Sequence, residues 1–122
     1  MTVIALDHVQ LAMPAHGEPA ARGFYAGMLG LREIPKPEPL QARGGLWFAC
    51  GSLQLHLGVD PSFRAAGKAH PAFVVRDLHR LIETLRSAGY TVLEDAELPG
   101  VERAFTADPF GAVRTHPSHR PT

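Results

Sequence analysis

KAHPAFVVRDLHRLIETLRSAGY, residues 68–90, is the stretch whose reading decides the fold. His70, Ala72 and Val74 alternate with Pro71, Phe73 and Val75, the two-residue period of a strand. Asp77 then stands where a helix takes its N-cap. Leu78, Leu81, Ile82 and Leu85 form one apolar stripe that stops at Gly89. A strand followed by an amphipathic helix needs a sheet for that stripe to cover. The same order occurs earlier, in VIALDHVQLAMPAHGEPAARGFYAGMLGL, residues 3–31. There Val9, Leu11 and Met13 alternate with His8, Gln10 and Ala12. Ala21, Phe24, Tyr25 and Met28 follow at helical spacing, with Gly30 as a left-handed cap. A duplicated half of this kind gives two similar sheets and sets matching residues around a shared cavity. His8 and His70 hold matching positions and are the first place to look for chemistry.

Working outward, each half continues with strands. Ile34 to Gly45 is rich in Pro and Gly and reads as an extended rim loop. Leu46–Cys50 and Leu53–Val59 form a strand pair turned at Gly51-Ser52. In the second half Thr91–Glu94 and Val101–Thr106 are strands separated by Pro99-Gly100, and Asp108-Pro109-Phe110-Gly111 is a turn. Each half is therefore β-α-β-β-β. The expected fold is a single α+β domain over residues 1–122, built of modules at about 3–59 and 68–117.

Composition bounds the function. A chain of 122 residues is one domain by length. Its 12 Lys and Arg equal its 12 Asp and Glu, which argues against nucleic acid or an anionic membrane as partner. The apolar runs are too short to span a bilayer, and the N-terminus lacks a secretion pattern. The lone Cys50 allows no internal disulfide and fits a reducing cytoplasm; it reads as a small buried hydrophobe rather than a nucleophile. There is no Ser-centred nucleophile elbow, phosphate-cradling Gly loop or paired-Cys zinc motif.

Four groups of residues then point to a family: Asp7-His8-Val9; Phe24-Tyr25 with Leu29-Gly30-Leu31; His70-Pro71-Ala72-Phe73 before Val75-Arg76-Asp77-Leu78; and Asp108-Pro109-Phe110-Gly111. In these residues, which span nearly the whole chain in the expected order, the sequence resembles the vicinal-oxygen-chelate superfamily. That superfamily includes glyoxalase I, extradiol dioxygenases, and fosfomycin- and bleomycin-resistance proteins. The resemblance implies two glyoxalase-like modules curved around a cavity. It also implies a homodimer, and a divalent metal (Zn, Ni, Mn or Fe) held from the first strand of each module, here by His8 and His70. Gln54 and His56, alternating with Leu53, Leu55 and Leu57, share the cavity face, and either is a candidate third ligand.

The resemblance fails at one point. Metal-using members place a Glu four residues past the Gly of the Asp-Pro-x-Gly turn, and this chain has Thr115 there. In that register Arg114 and His116 face the core, so the last strand either ends early or slips by one residue. A tail that is not the ancestral one would look the same.

Gln10, Trp47, Gln54, Phe105 and Arg103 are the candidate substrate-pocket residues, and Phe48 and Phe63 are further candidate walls. Arg43, Arg64 and Lys68 lie near the expected cavity edges. The leading expectation is a metal-dependent glyoxalase-like enzyme, a lyase, isomerase or dioxygenase, acting on a small molecule with neighbouring oxygens. Its alternatives are a bleomycin-resistance-like binding protein without catalysis and a degenerate family member.

Overall fold

The computed structural model describes residues 1–95 and 102–111, with the backbone of residues 114–115 and 118–119. The chain divides into two compact units, Met1–Phe63 and Arg64–Thr122. Among the described residues no helix is long and apolar enough to cross a membrane.

In the first unit, strand β1 (His8–Met13) leads into helix α1 (Glu18–Arg22), which continues as a π-helical turn over Gly23–Met28. Strand β2 (Arg32–Ile34), a four-residue helix α2 (Glu38–Gln41) and strands β3 (Leu46–Cys50) and β4 (Leu53–Val59) follow. The sheet order is β1-β4-β3-β2, with β1 parallel to β4 and the other neighbours antiparallel. Alternation decides the faces. Met13, Leu46, Phe48, Leu55 and Leu57 are buried on one side, as are Ala21, Phe24 and Tyr25 of the helical segment. Tyr25 meets Phe48 at 5.9 Å between ring centroids. Burying each such large side chain contributes about 1.5–3 kcal/mol.

The π turn explains how two consecutive aromatics are both fully buried. The Leu29 N–H donates to Phe24 O, five residues back, at 3.0 Å, so the backbone is wider than an α-helix at that turn. Arg22 Nε donates to Glu33 Oε1 at 2.8 Å and ties the helix to β2.

The Pro-rich stretch is not wholly extended, since it carries α2 between Pro37 and Ala42. It ends at Gly44-Gly45, more than a flexible pair. Gly45 has φ +88°, and a Cβ there would lie 2.1 Å from Leu57 O, so only glycine lets this loop enter β3 against β4.

In the second unit, helix α3 (Leu78–Ser87) precedes strands β5 (Val92–Asp95), β6 (Glu102–Ala107), β7 (Arg114–Thr115) and β8 (Ser118–His119). Asp77 caps α3 by accepting from the Arg80 N–H at 3.2 Å. Leu78, Ile82 and Leu85 of the helix are buried, as are Val92, Ala104 and Thr106 of the sheet. Arg86 Nη2 donates to Val92 O at 3.0 Å and joins the two layers.

The opening strand expected at His70–Val75 is not formed: only Val74 makes an isolated bridge. Pro71 has no N–H for a ladder, and His70 Nδ1 bonds back to Lys68 O at 2.7 Å. The Asp108–Gly111 turn forms as expected, with Asp108 Oδ1 accepting from the Phe110 N–H and Gly111 at φ +65°. Beyond it, β7 and β8 pair with β6 in one register, Thr115 opposite Thr106 and Ser118 opposite Arg103. Position 115 therefore stands opposite Thr106, a buried residue of β6. His116 lies outside the described residues.

Candidate functional site

The polar face of the first unit's sheet carries the candidate site. The β1–β4 register places His8 beside Gln54 and Gln10 beside His56, and the β3–β4 register places Trp47 on the far side of His56. Neighbours across a ladder point to the same face. The five sequence-derived residues of this unit, His8, Gln10, Trp47, Gln54 and His56, therefore share one surface.

Their rings stack in a row across three strands. Trp47 and His56 lie 3.8 Å apart with planes 1° from parallel, and His56 and His8 lie 4.3 Å apart at 17°. His56 is 5% exposed, whereas the His8 side chain is 44% exposed and reaches solvent at the end of the row. Burial, followed by the positive character of His8, holds the His56 pKa below its ordinary 6.5. Asp7 acts in the opposite sense, and Lys36 adds to the depression.

Hydrogen bonds assign the imidazole tautomers. Asp7 Oδ2 lies 2.9 Å from His8 Nδ1; a carboxylate only accepts, so Nδ1 carries the proton and Nε2 the lone pair. His70 in the second unit has the same arrangement, with Lys68 O as acceptor. His56 is opposite, its Nε2 donating to Gln54 Oε1 at 2.8 Å. Gln54 and His56, the two candidates for a third ligand, thus engage each other. The lone pairs of stacked rings lie in near-parallel planes and do not converge on one point, so His8 and His56 do not together address a single ion in this arrangement. Among the described residues no group of three or more His, Cys, Asp or Glu could hold a metal.

The remaining candidates divide between core and second unit. Phe48 is a core residue under Tyr25. Burial pushes the Cys50 thiol pKa up, which disfavours the nucleophilic thiolate. Phe105 lines an apolar cavity of about 350 Å³ with Thr91, Leu93, Thr106 and Ala107. Arg103 lies over the Phe105 ring at 5.4 Å and donates from Nε to Asp95 Oδ2 at 2.7 Å, so its charge is balanced.

Two residues that sequence reasoning passed over join the first unit's site. Asp7, noted only as part of a motif, holds the His8 tautomer. Lys36, inside the Pro-rich loop, reaches Gly44 O and lines a cavity of about 240 Å³ beside Trp47 and Gln10. No local pattern marks Lys36, because its neighbours in space come from three separate strands.

No family model matches the chain, and no curated protein does. Solved structures do. A fosfomycin resistance protein, FosX, from Listeria monocytogenes shares the fold at a TM-score of 0.78, with 14% identity over 98% of this chain and 96% of that one. Lactoylglutathione lyase from Agrobacterium tumefaciens shares it at 0.73, with 19% identity over 98% of this chain and 96% of that one. A glyoxalase family protein from Bacillus anthracis superposes at a TM-score of 0.92, is 40% identical, and covers 99% of this chain and 98% of its own. Identity of that extent along both chains, on a fold shared with the resistance protein and the lyase, shows that this chain belongs to the glyoxalase family of the vicinal-oxygen-chelate superfamily.

Proposed function

We propose that this chain is a metal-dependent enzyme of the glyoxalase type, acting on a small molecule that presents two neighbouring oxygens. The observation that carries this reading is the matched state of His8 and His70. Each donates from Nδ1 to an oxygen acceptor, Asp7 at 2.9 Å and Lys68 O at 2.7 Å, and each keeps its lone pair on Nε2. An oxygen behind the ring fixes tautomer and orientation and raises the basicity of the other nitrogen, as in metal-bound imidazoles generally. His8 and His70 are the residues that would hold a divalent ion such as Zn, Ni, Mn or Fe; bound there, it supplies a Lewis acid for the substrate oxygens. Around it, Asp7 keeps His8 in its metal-accepting tautomer. The Trp47–His56 pair offers a flat shelf against which a planar substrate can be oriented. Gln54 holds the His56 ring in place. With Thr115 at the position of the family's Glu, the general base is not that carboxylate. A two-fold homodimer in the cytoplasm is part of the same proposal.

The test is elemental analysis of protein purified without a His-tag, followed by calorimetric titration with Ni, Zn, Mn and Fe. Stoichiometric binding is expected, lost in His8→Ala and weakened about 10- to 100-fold in Asp7→Asn. Absence of binding in the unsubstituted protein overturns the reading.

A second reading, a binding protein without catalysis, is favoured by the Trp47–His56–His8 stack, which needs no ion to hold a flat ligand. It predicts that His8→Ala together with His70→Ala leaves ligand affinity nearly unchanged.

A further inference from the structure

Next to His56 along β4, on the same face, stands Gly58, at the wall of a hollow. Gln10 leans over it, so that a Cβ at Gly58 would lie 3.0 Å from Gln10 Nε2. The hollow, a cavity of about 240 Å³, is bounded by Gln10, Trp47, Gly58, Leu40, Lys36 and Arg43, among others. Its charged lining residues are both cations. Lys36 gives one N–H of its ammonium to Gly44 O, which pins the amine at the wall; an ammonium has three donors, so others remain to offer. Arg43 is exposed and has no ion-pair partner among the described residues. Glu18 approaches the Gly44-Gly45 turn, accepting from the Gly45 N–H at 3.4 Å, but does not line the cavity.

We propose that this hollow is an oxyanion subsite, taking the carboxylate or phosphonate group of a small molecule whose flat portion lies against Trp47. Two cations flanking a polar hollow favour an anion by charge. The Arg fork and the Lys ammonium together suit the oxygens of a planar or a tetrahedral group. The Gln10 amide, lying over Gly58, adds a neutral donor. Because Trp47 both lines the hollow and stacks on His56, a group seated there adjoins the His8–His56 row. The subsite needs no metal, so it stands or falls apart from the metal reading.

Trp47 is the only tryptophan in the chain, and its fluorescence reports on the hollow directly. Phenylphosphonate, benzoate and the neutral benzamide are titrated in the presence of EDTA at constant ionic strength. A saturable change with phenylphosphonate or benzoate and none with benzamide is expected, and the tighter of the two anions identifies the preferred group. Arg43→Gln, an exposed change that leaves the Lys36–Gly44 contact in place, should weaken the anion roughly tenfold, with Arg43→Lys intermediate. An equal response to benzamide, no saturable response to either anion, or unchanged affinity in Arg43→Gln overturns the proposal.

Discussion

His56 lies between two rings and almost out of water, and its protonation therefore works against the fold. Its pKa in the native protein is depressed, first by burial and then by His8 and Lys36, whereas in the unfolded chain it returns to about 6.5. As pH falls through that value, the unfolded state takes up a proton that the folded state refuses, so stability is lost until the lower native pKa is passed. A falling melting temperature is expected as the pH drops below about 6.5. The fall should be shallower in His56→Gln than in the unsubstituted protein; equal slopes would remove His56 as the cause. Gly45 makes a separate case. Gly45→Ala combines φ +88° with a Cβ 2.1 Å from Leu57 O. A loss on the order of 3 kcal/mol or more is expected in urea denaturation. Gly51→Ala, at φ +58° with no atom within 4 Å, should lose only about 1 kcal/mol. At this scale much of the site was legible. The two-residue period of Leu6 to Met13 and of Leu53 to Val59 assigns His8, Gln10, Gln54 and His56 to polar faces. The stacking of Trp47 on His56 was not, because it depends on which strand lies beside which.

Among the elements, α3 is the clearest product of its own sequence, with stripe, cap and stop all local. Asp77→Ala removes the acceptor for the Arg80 N–H and should cost about 1 kcal/mol by thermal or chemical denaturation, while Asp77→Asn should retain most of it. The helical segment that follows β1 was legible in its buried residues but not in its form. Phe24 and Tyr25 announce a buried face, yet nothing local requires the five-residue hydrogen bond from Leu29 to Phe24. The segment 70–75 shows the reverse: its alternation reads as a strand, and Pro71 withholds the donor a ladder would use. β7 pairs Thr115 with Thr106, a register that no local pattern in residues 112–117 announces.

At the scale of the whole chain, two compact units meet in an exposed stretch without regular structure, residues 64–70. Trypsin at low dose should first cut there, after Arg64 or Lys68. Arg22 and Arg86 are held in helices and paired with Glu33 and Glu94. Mass spectrometry of early fragments decides it, and a first cut at Arg22 or Arg86 would contradict the assignment. Family membership was legible because its motifs are short, local and ordered along the chain. The order β1-β4-β3-β2 was not, since it joins His8 to Gln54 across the whole first unit. That parallel pairing has a kinetic consequence. The β3–β4 hairpin closes across two residues and can form early, but β1 can dock only after the chain between has been gathered in, at the entropic cost of a long loop. The His8–His56 contact is thus expected among the last native features to form in this unit. Folding by this route sets Trp47 on His56 before His8 joins the row, and Met13 of β1 enters the core in the same late step.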